Sequence, residues 1–141
     1  MPNAFCLLNH KLTPKQEDEL HNSFVAERII YPPPQTTELW SAIPTDKDIT
    51  KAHLAPFTDW LQEAAVEGDV VILQGEFSVT FALIDYSLRR GLTPVCAVSK
   101  RITIEEKEGE KVKKQIIFEH ICFRQYRYYN DLKPTKKPLS L

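Results

Sequence analysis

The apolar run Val70-Val71-Ile72-Leu73 does not alternate with polar residues, and neither does Ala4-Phe5-Cys6-Leu7-Leu8. A strand with one face in water alternates. One that is apolar at every position needs cover on both faces, which is the situation of a strand in a parallel sheet between helices. Asp69–Leu73 and Ala4–Leu8 therefore read as two central strands, with Pro94–Ser99 as a third of the same kind and Phe24–Tyr31 as a further strand.

The segments between them carry helical signals. Thr13-Pro14 with Gln16 three residues past the cap starts a helix that runs to about Ser23. Pro32–Pro34 stop the following strand and impose an extended loop, and Thr36–Ile43 forms a short helical turn. Thr50 caps a longer helix whose face is Leu54, Phe57, Trp60, Leu61, Ala64 and Ala65, with Gly68 as its terminating glycine. A helix over residues 77–90 places Phe77, Phe81, Ile84 and Leu88 toward the sheet and closes at Gly91. After Ser99 the pattern changes: Arg101–Glu105 alternates, a charged turn holds Gly109, and the segment 113–126 returns as the second strand of an antiparallel ribbon.

The expected fold class is α/β, a Rossmann-like, mostly parallel sheet with helices on both faces and a C-terminal antiparallel β-hairpin. Right-handed crossovers and short connections favour an order with the first strand between the second and the third. Residues 1–128, including a 100–126 ribbon, form one domain, and the Pro- and Lys-rich 129–141 segment, with Lys133, Lys136 and Lys137, reads as a flexible tail.

At 141 residues and 43% hydrophobic the chain suits one core, and its net charge of −1 calls for neither long nucleic acid nor an acidic membrane as partner. The N-terminus lacks the basic region and cleavage site of a signal peptide, so a cytoplasmic location is expected. Cys6, Cys96 and Cys122 sit in apolar segments and read as buried free thiols. His10, His21, His53 and His120 have no metal-ligand spacing with them, so no metal and no cofactor is expected. With four glycines the chain has neither GxGxxG nor a Walker loop, and it has no nucleophile elbow or HExxH.

Ligands of parallel sheets bind beyond the carboxyl ends of the strands. That rule gathers Asn9-His10-Lys11, Gln74-Gly75-Glu76 and Ser99-Lys100-Arg101 on one rim. Gly75 admits a close neighbour, and the free amides that begin the 77–90 helix, with Ser78 and Thr80, can receive an anion. The plainer alternatives stand beside this: Gly75 turns a corner, Ser78 caps the helix, Glu76 answers the helix dipole, and Lys100 and Arg101 are solvated. Cations with one acid and hydroxyls suit a phosphate ligand that also offers hydroxyls or base edges.

The stretches LLNHKLT, VVILQGEFSVTF, TPVCAVSKR and FEHICFRQY, in that order through residues 4–126, resemble the small CRISPR-associated ring nucleases of the Csx type, which are related to CARF domains. The resemblance implies a cytoplasmic homodimer that binds cyclic oligoadenylate, commonly the tetra-adenylate, across its two-fold axis. It implies cleavage without metal, by attack of a ribose 2′-hydroxyl on its own phosphate, to linear products with 2′,3′-cyclic phosphate ends that switch off type III CRISPR signalling. Asn9, His10 and Lys11 match the first loop, Gln74, Gly75, Glu76, Phe77, Ser78 and Thr80 the central one, and Ser99, Lys100 and Arg101 the last. The catalytic roles fall to Lys100 and Arg101 on the phosphate and to His10 as general acid, with a positioning hydrogen bond to ribose or phosphate as the rival role for His10; the others contact ligand. A module that binds the same ring as sensor or sponge without cutting it is the alternative. The homodimer is also expected from the 77–90 helix, whose Val79, Ala82, Leu83 and Tyr86 leave little of its circumference polar.

Overall fold

A computed structural model describes residues 1–135. Its elements are β1 (Ala4–Leu7), α1 (Pro14–Asn22), β2 (Ile29–Ile30), α2 (Pro34–Ser41), α3 (Lys51–Ala64), β3 (Val70–Leu73), α4 (Phe77–Arg89), β4 (Thr93–Glu108) and β5 (Lys111–Gln125), followed by a 3-10 turn at Tyr129–Asp131. They build a mixed α/β structure on one five-stranded sheet in the order β2-β1-β3-β4-β5. The first four strands are parallel, with Phe5 beside both Ile30 and Val71, and β5 pairs antiparallel to β4. The first strand lies between the second and third, the order that right-handed crossovers and short connections favour.

The non-alternating runs are explained by the two faces they feed. Cys6 and Ile72 point into a core with Leu12 and Leu20 from the α1 side, closed by Val95 and Phe123. Phe5, Leu7, Val71 and Leu73 point the other way, against Trp40 of α2, Phe57 and Leu61 of α3, and Val79 and Leu83 of α4. Among the described residues no helix is long and apolar enough to cross a membrane.

Helix α1 begins as its sequence dictates. The Gln16 amide donates to Thr13 Oγ1 at 3.3 Å and the Gln16 side chain accepts from the Thr13 amide at 3.0 Å, a reciprocal cap. The helix is fastened to β5 by Glu19. One carboxylate oxygen lies 2.6 Å from Nε2 of the buried His120, and the other accepts the Phe123 amide at 2.8 Å.

Four local readings change. The expected strand over 24–31 shrinks to Ile29–Ile30, because residues 23–26 are spent turning the chain out of α1: the amides of Phe24 and Ala26 donate back to Glu19 and Leu20, with Val25 at φ +57°. The extended loop holds at Pro32 and Pro33 but ends at Pro34, which opens α2, where a proline in the first turn loses no hydrogen bond. Gly68 does not end α3, which stops at Ala64. Gly68 instead adopts φ +92° in the next turn and donates to the carbonyl of Gly91.

The fourth change is the orientation of α4. Its buried residues are Val79, Thr80, Leu83 and Ser87, whereas Phe77 and Phe81 are 92% and 74% exposed. A stripe drawn through the largest side chains finds an inner face only where the opposite face is polar, and α4 is apolar nearly all round. Three residues separate β3 from α4, and this short link turns the smaller side chains inward.

A left-handed backbone costs a β-branched residue about 1–2 kcal/mol. Val25 is half-exposed. Val25→Asn should therefore raise the unfolding free energy by about 1 kcal/mol, read as a higher urea midpoint with an unchanged slope.

Candidate functional site

β1 and β3 lie side by side, and the chain leaves them in opposite directions. From β1 it crosses through α1 on one face to β2, and from β3 through α4 on the other face to β4. Their carboxyl ends therefore flank the crevice where parallel α/β sheets accept ligands. Asn9-His10-Lys11 stand on one side and Gln74-Gly75-Glu76 on the other.

The first cluster is open. Asn9, His10 and Lys11 are all exposed. The turn is pinned from below by Tyr31, whose hydroxyl accepts the Leu12 amide at 3.0 Å and whose ring lies 5.8 Å from the Lys11 ammonium. Burial raises the Tyr31 pKa, against the lowering effect of that amide contact. His10 Nδ1 lies 2.9 Å from the Lys11 carbonyl. A carbonyl only accepts, so Nδ1 carries the hydrogen in this contact.

The second cluster is occupied by the protein itself. The Gln74 backbone amide donates to Leu7, its carbonyl accepts Trp40 Nε1 at 3.0 Å, and its side-chain oxygen accepts the Ala97 amide at 2.9 Å. A Cβ at Gly75 would fall 2.8 Å from the Trp40 ring, so the close neighbour that this glycine admits is the indole. Glu76 caps α4. Its carboxylate accepts the amides of Ser78 at 3.1 Å and Val79 at 2.9 Å, and also the Ser78 hydroxyl at 2.6 Å. The amides expected to be free for an anion are thus already engaged by a carboxylate. The Ser78 hydroxyl first, then the two amides, hold the Glu76 pKa below its ordinary value. Thr80 is buried, its hydroxyl without a partner among the described residues, and Phe77 is exposed to solvent.

The third cluster is not a loop. Ser99, Lys100 and Arg101 lie within β4, which runs unbroken from Thr93 to Glu108, with an irregularity in pairing between Val98 and Ser99. Strand β3 accompanies β4 only as far as Val95, so these residues project past the rim on a two-stranded arm. Lys100 stands opposite Glu119, which Lys15 also approaches at 3.6 Å, and Arg101 stands opposite the exposed Phe118. The expected 100–126 ribbon starts earlier than its sequence suggests, because β4 serves both the parallel sheet and the arm.

Sequence reasoning missed a groove between α3 and α4. A hollow of about 720 Å³ is lined by Lys51, Leu54, Phe81, Ala82, Tyr86 and Arg90, among others. It shares Lys51, Leu54 and Ala82 with a second hollow of about 810 Å³ that reaches Glu76 and Ser78. Arg89 is held by Asp85 at 3.0 Å and Arg90 lies over the Tyr86 ring at 4.9 Å. The signal was present in Phe77 and Phe81, had they been read as an outer face.

Among the described residues no group of three metal-ligating side chains occurs. The cysteines are unpaired: Cys6 is buried, and burial, followed by Glu17, pushes its thiol up to about 12, while Cys96 and Cys122 are half-buried. Arg124, Arg127 and Lys133 are exposed; Lys136 and Lys137, with most of the expected tail's end, lie outside the described residues.

A family model described as the "Uncharacterized protein MJ1673 family" matches residues 2–124. The chain belongs to this family. A relative from Methanocaldococcus jannaschii, described as "Uncharacterized protein MJ1673", is 33% identical over 129 residues, which are 92% of this chain and 100% of the relative. No solved structure matches the chain. The family match takes in the whole rim and the arm and stops one residue before the end of β5.

Two outcomes follow for the rim. Gly75→Ala forces its methyl into the Trp40 indole, and overpacking of this kind costs roughly 1–3 kcal/mol, measurable by urea denaturation with Trp fluorescence. Glu76 has a folded pKa below its ordinary value, so its contribution is full above the ordinary carboxylate range and is lost as pH falls through the depressed value. Glu76→Gln should therefore be less stable than wild type near neutrality, with the difference closing in acid; a gap independent of pH would contradict the cap's charge.

Proposed function

We propose that this chain is a Rossmann-like, CARF-like homodimeric ring nuclease of type III CRISPR antiviral defence, a cytoplasmic enzyme that binds cyclic oligoadenylate, with cyclic tetra-adenylate as the first ring to test, and cuts it without metal. The observation that carries the ligand reading is the Asn9–Lys11 turn, three exposed polar side chains held in place beside the β1/β3 crevice. Lys11 offers a charge to phosphate there, and Asn9 an amide to ribose or base. The motifs named above supply the choice of ring.

In this reading the ring's own 2′-hydroxyl is the nucleophile: its oxygen bonds to the neighbouring phosphorus, its proton passes to water, and the bond from phosphorus to the 5′-oxygen breaks. The protein aligns the hydroxyl with the neighbouring phosphate and supports the charge that builds on the non-bridging oxygens. His10 Nε2, protonated, gives its proton to the departing 5′-oxygen while Nδ1 stays tied to the Lys11 carbonyl. Lys100 and Arg101 point to opposite faces of the arm, so one of them serves each ring phosphate. Arg101 is the stronger candidate, since among the described residues no carboxylate lies within ion-pair distance of it, whereas Lys100 stands across from Glu119.

A second reading, binding without cleavage, is favoured by one feature. Glu76 fills the start of α4, so those amides are not available to stabilise a transition-state oxyanion. Incubation of the pure protein with radiolabelled cyclic tetra-adenylate, with and without EDTA, separates the two. Linear products in both lanes support the enzyme; a shifted but intact ring supports the sensor or sponge; free intact ring refutes both. For the enzyme, His10→Ala should bind normally and cut about 10²-fold or more slowly. Arg101→Ala should lose about 2 kcal/mol of ligand binding.

A further inference from the structure

Among the described residues none of the arm, residues 99–119, belongs to either core, and α1 meets β5 at the arm's base, where Lys15 approaches Glu119 and Glu19 holds His120 and Phe123. The arm extends about 30 Å past the sheet, and a two-stranded ribbon alone in water is marginally stable at best. Yet the arm exposes Phe118, Ile116 and Val112 on one face, each opposite a residue of β4. The same molecule has a second uncovered apolar surface, the Phe77 and Phe81 face of α4 above its groove.

We propose that these two surfaces are made for each other in a second copy of the chain: the arm of each protomer lies along α4 of its partner, reciprocally. The repeats agree. Residues two apart on a strand are about 6.6 Å apart, and residues four apart on a helix about 6 Å. Reading β5 backwards gives Phe118, Ile116 and Lys114, and reading α4 forwards gives Phe77, Phe81 and Asp85, so apolar meets apolar twice, and Lys114, 3.8 Å from Glu105 in its own arm, comes opposite Asp85, which holds Arg89. The area agrees as well. The exposed aromatic and aliphatic side chains on helix and arm present on the order of 600 Å² per copy, against the ~800 Å² that each side of a standard interface buries. Arg101, cross-strand from Phe118, is then delivered to the start of the partner's α4, beside the Gln74–Glu76 tip. The candidate site is completed by the neighbouring copy.

This inference rests on the homodimer of the proposed function but not on its ligand. The test uses sedimentation equilibrium of the full chain at micromolar concentrations. Wild type is expected to dimerise, and Phe118→Asp and Phe77→Arg, both at exposed positions, are each expected to weaken the dimer at least 100-fold. Mixed in equal amounts, the two variants should recover a heterodimer, because one contact then pairs aspartate with arginine and the other is native. A Phe118→Asp protein that dimerises like wild type overturns the arm. Two monomeric variants that do not recover on mixing overturn the arm-on-helix pairing. A monomeric wild type overturns the arm and the dimer together. A dimer that behaves as expected but fails to bind cyclic tetra-adenylate leaves this interface standing and removes only the ligand.

Discussion

The position of everything around the rim depends on Trp40. Its indole N–H is tied to the Gln74 carbonyl, its ring lies where a side chain at Gly75 would be, and its face meets Phe57 edge-on at 5.1 Å between centroids. One side chain thus docks α2 over the end of β3, fixes α3 behind it, and determines where α4 can begin. Tyr126 reinforces the same point from β4's far side, donating its hydroxyl to the Leu73 carbonyl. Burial and the neighbouring Cys96 push that phenol's pKa well up, so it remains a neutral donor. A buried indole and a neutral phenol both need acceptors, and the strand end provides two carbonyls with no further strand to bond.

The consequence for chemistry is an asymmetric rim. The β3 side is consumed by internal bonds, with Gln74 joining β3 to β4 and Glu76 neutralising the start of α4. The β1 side is left open, and Tyr31 holds Asn9–Lys11 without covering them. Any anion that enters meets Lys11 on one side and a carboxylate on the other. The polarity of the crevice favours a ligand that combines phosphate with hydrogen-bond donors over a bare anion.

The sheet was legible in the sequence because its cause is local. Ala4–Leu7 and Val70–Leu73 are apolar at every position, which only a strand covered on both sides tolerates, and Thr13 with Gln16 carries its cap in four consecutive residues. The hairpin was legible for the same reason: Arg101–Glu105 alternates, and Gly109 takes φ +62° at the charged turn after which the chain returns. Right-handed crossovers and short connections then favour the order β2-β1-β3 that the sheet adopts.

What only the tertiary structure decided was which of several allowed neighbours each group meets. Gly75 reads equally well as room for a ligand or for a ring, and Trp40, thirty-five positions earlier, takes the space. Glu76 reads as dipole complement or ligand contact until its distances to Ser78 and Val79 show it capping. The periodicity of α4 marks it as apolar but cannot orient it, since a helix apolar nearly all round gives no moment strong enough to choose its inner face; the short link from β3 chose, and turned Phe77 and Phe81 outward. Lys100 and Arg101 changed from a loop to an arm because β4 does not stop where its parallel partner does. Local patterns fix what a segment becomes, because backbone bonding and side-chain period act over a few residues. Contacts between distant segments fix what it touches, because they depend on how the elements pack.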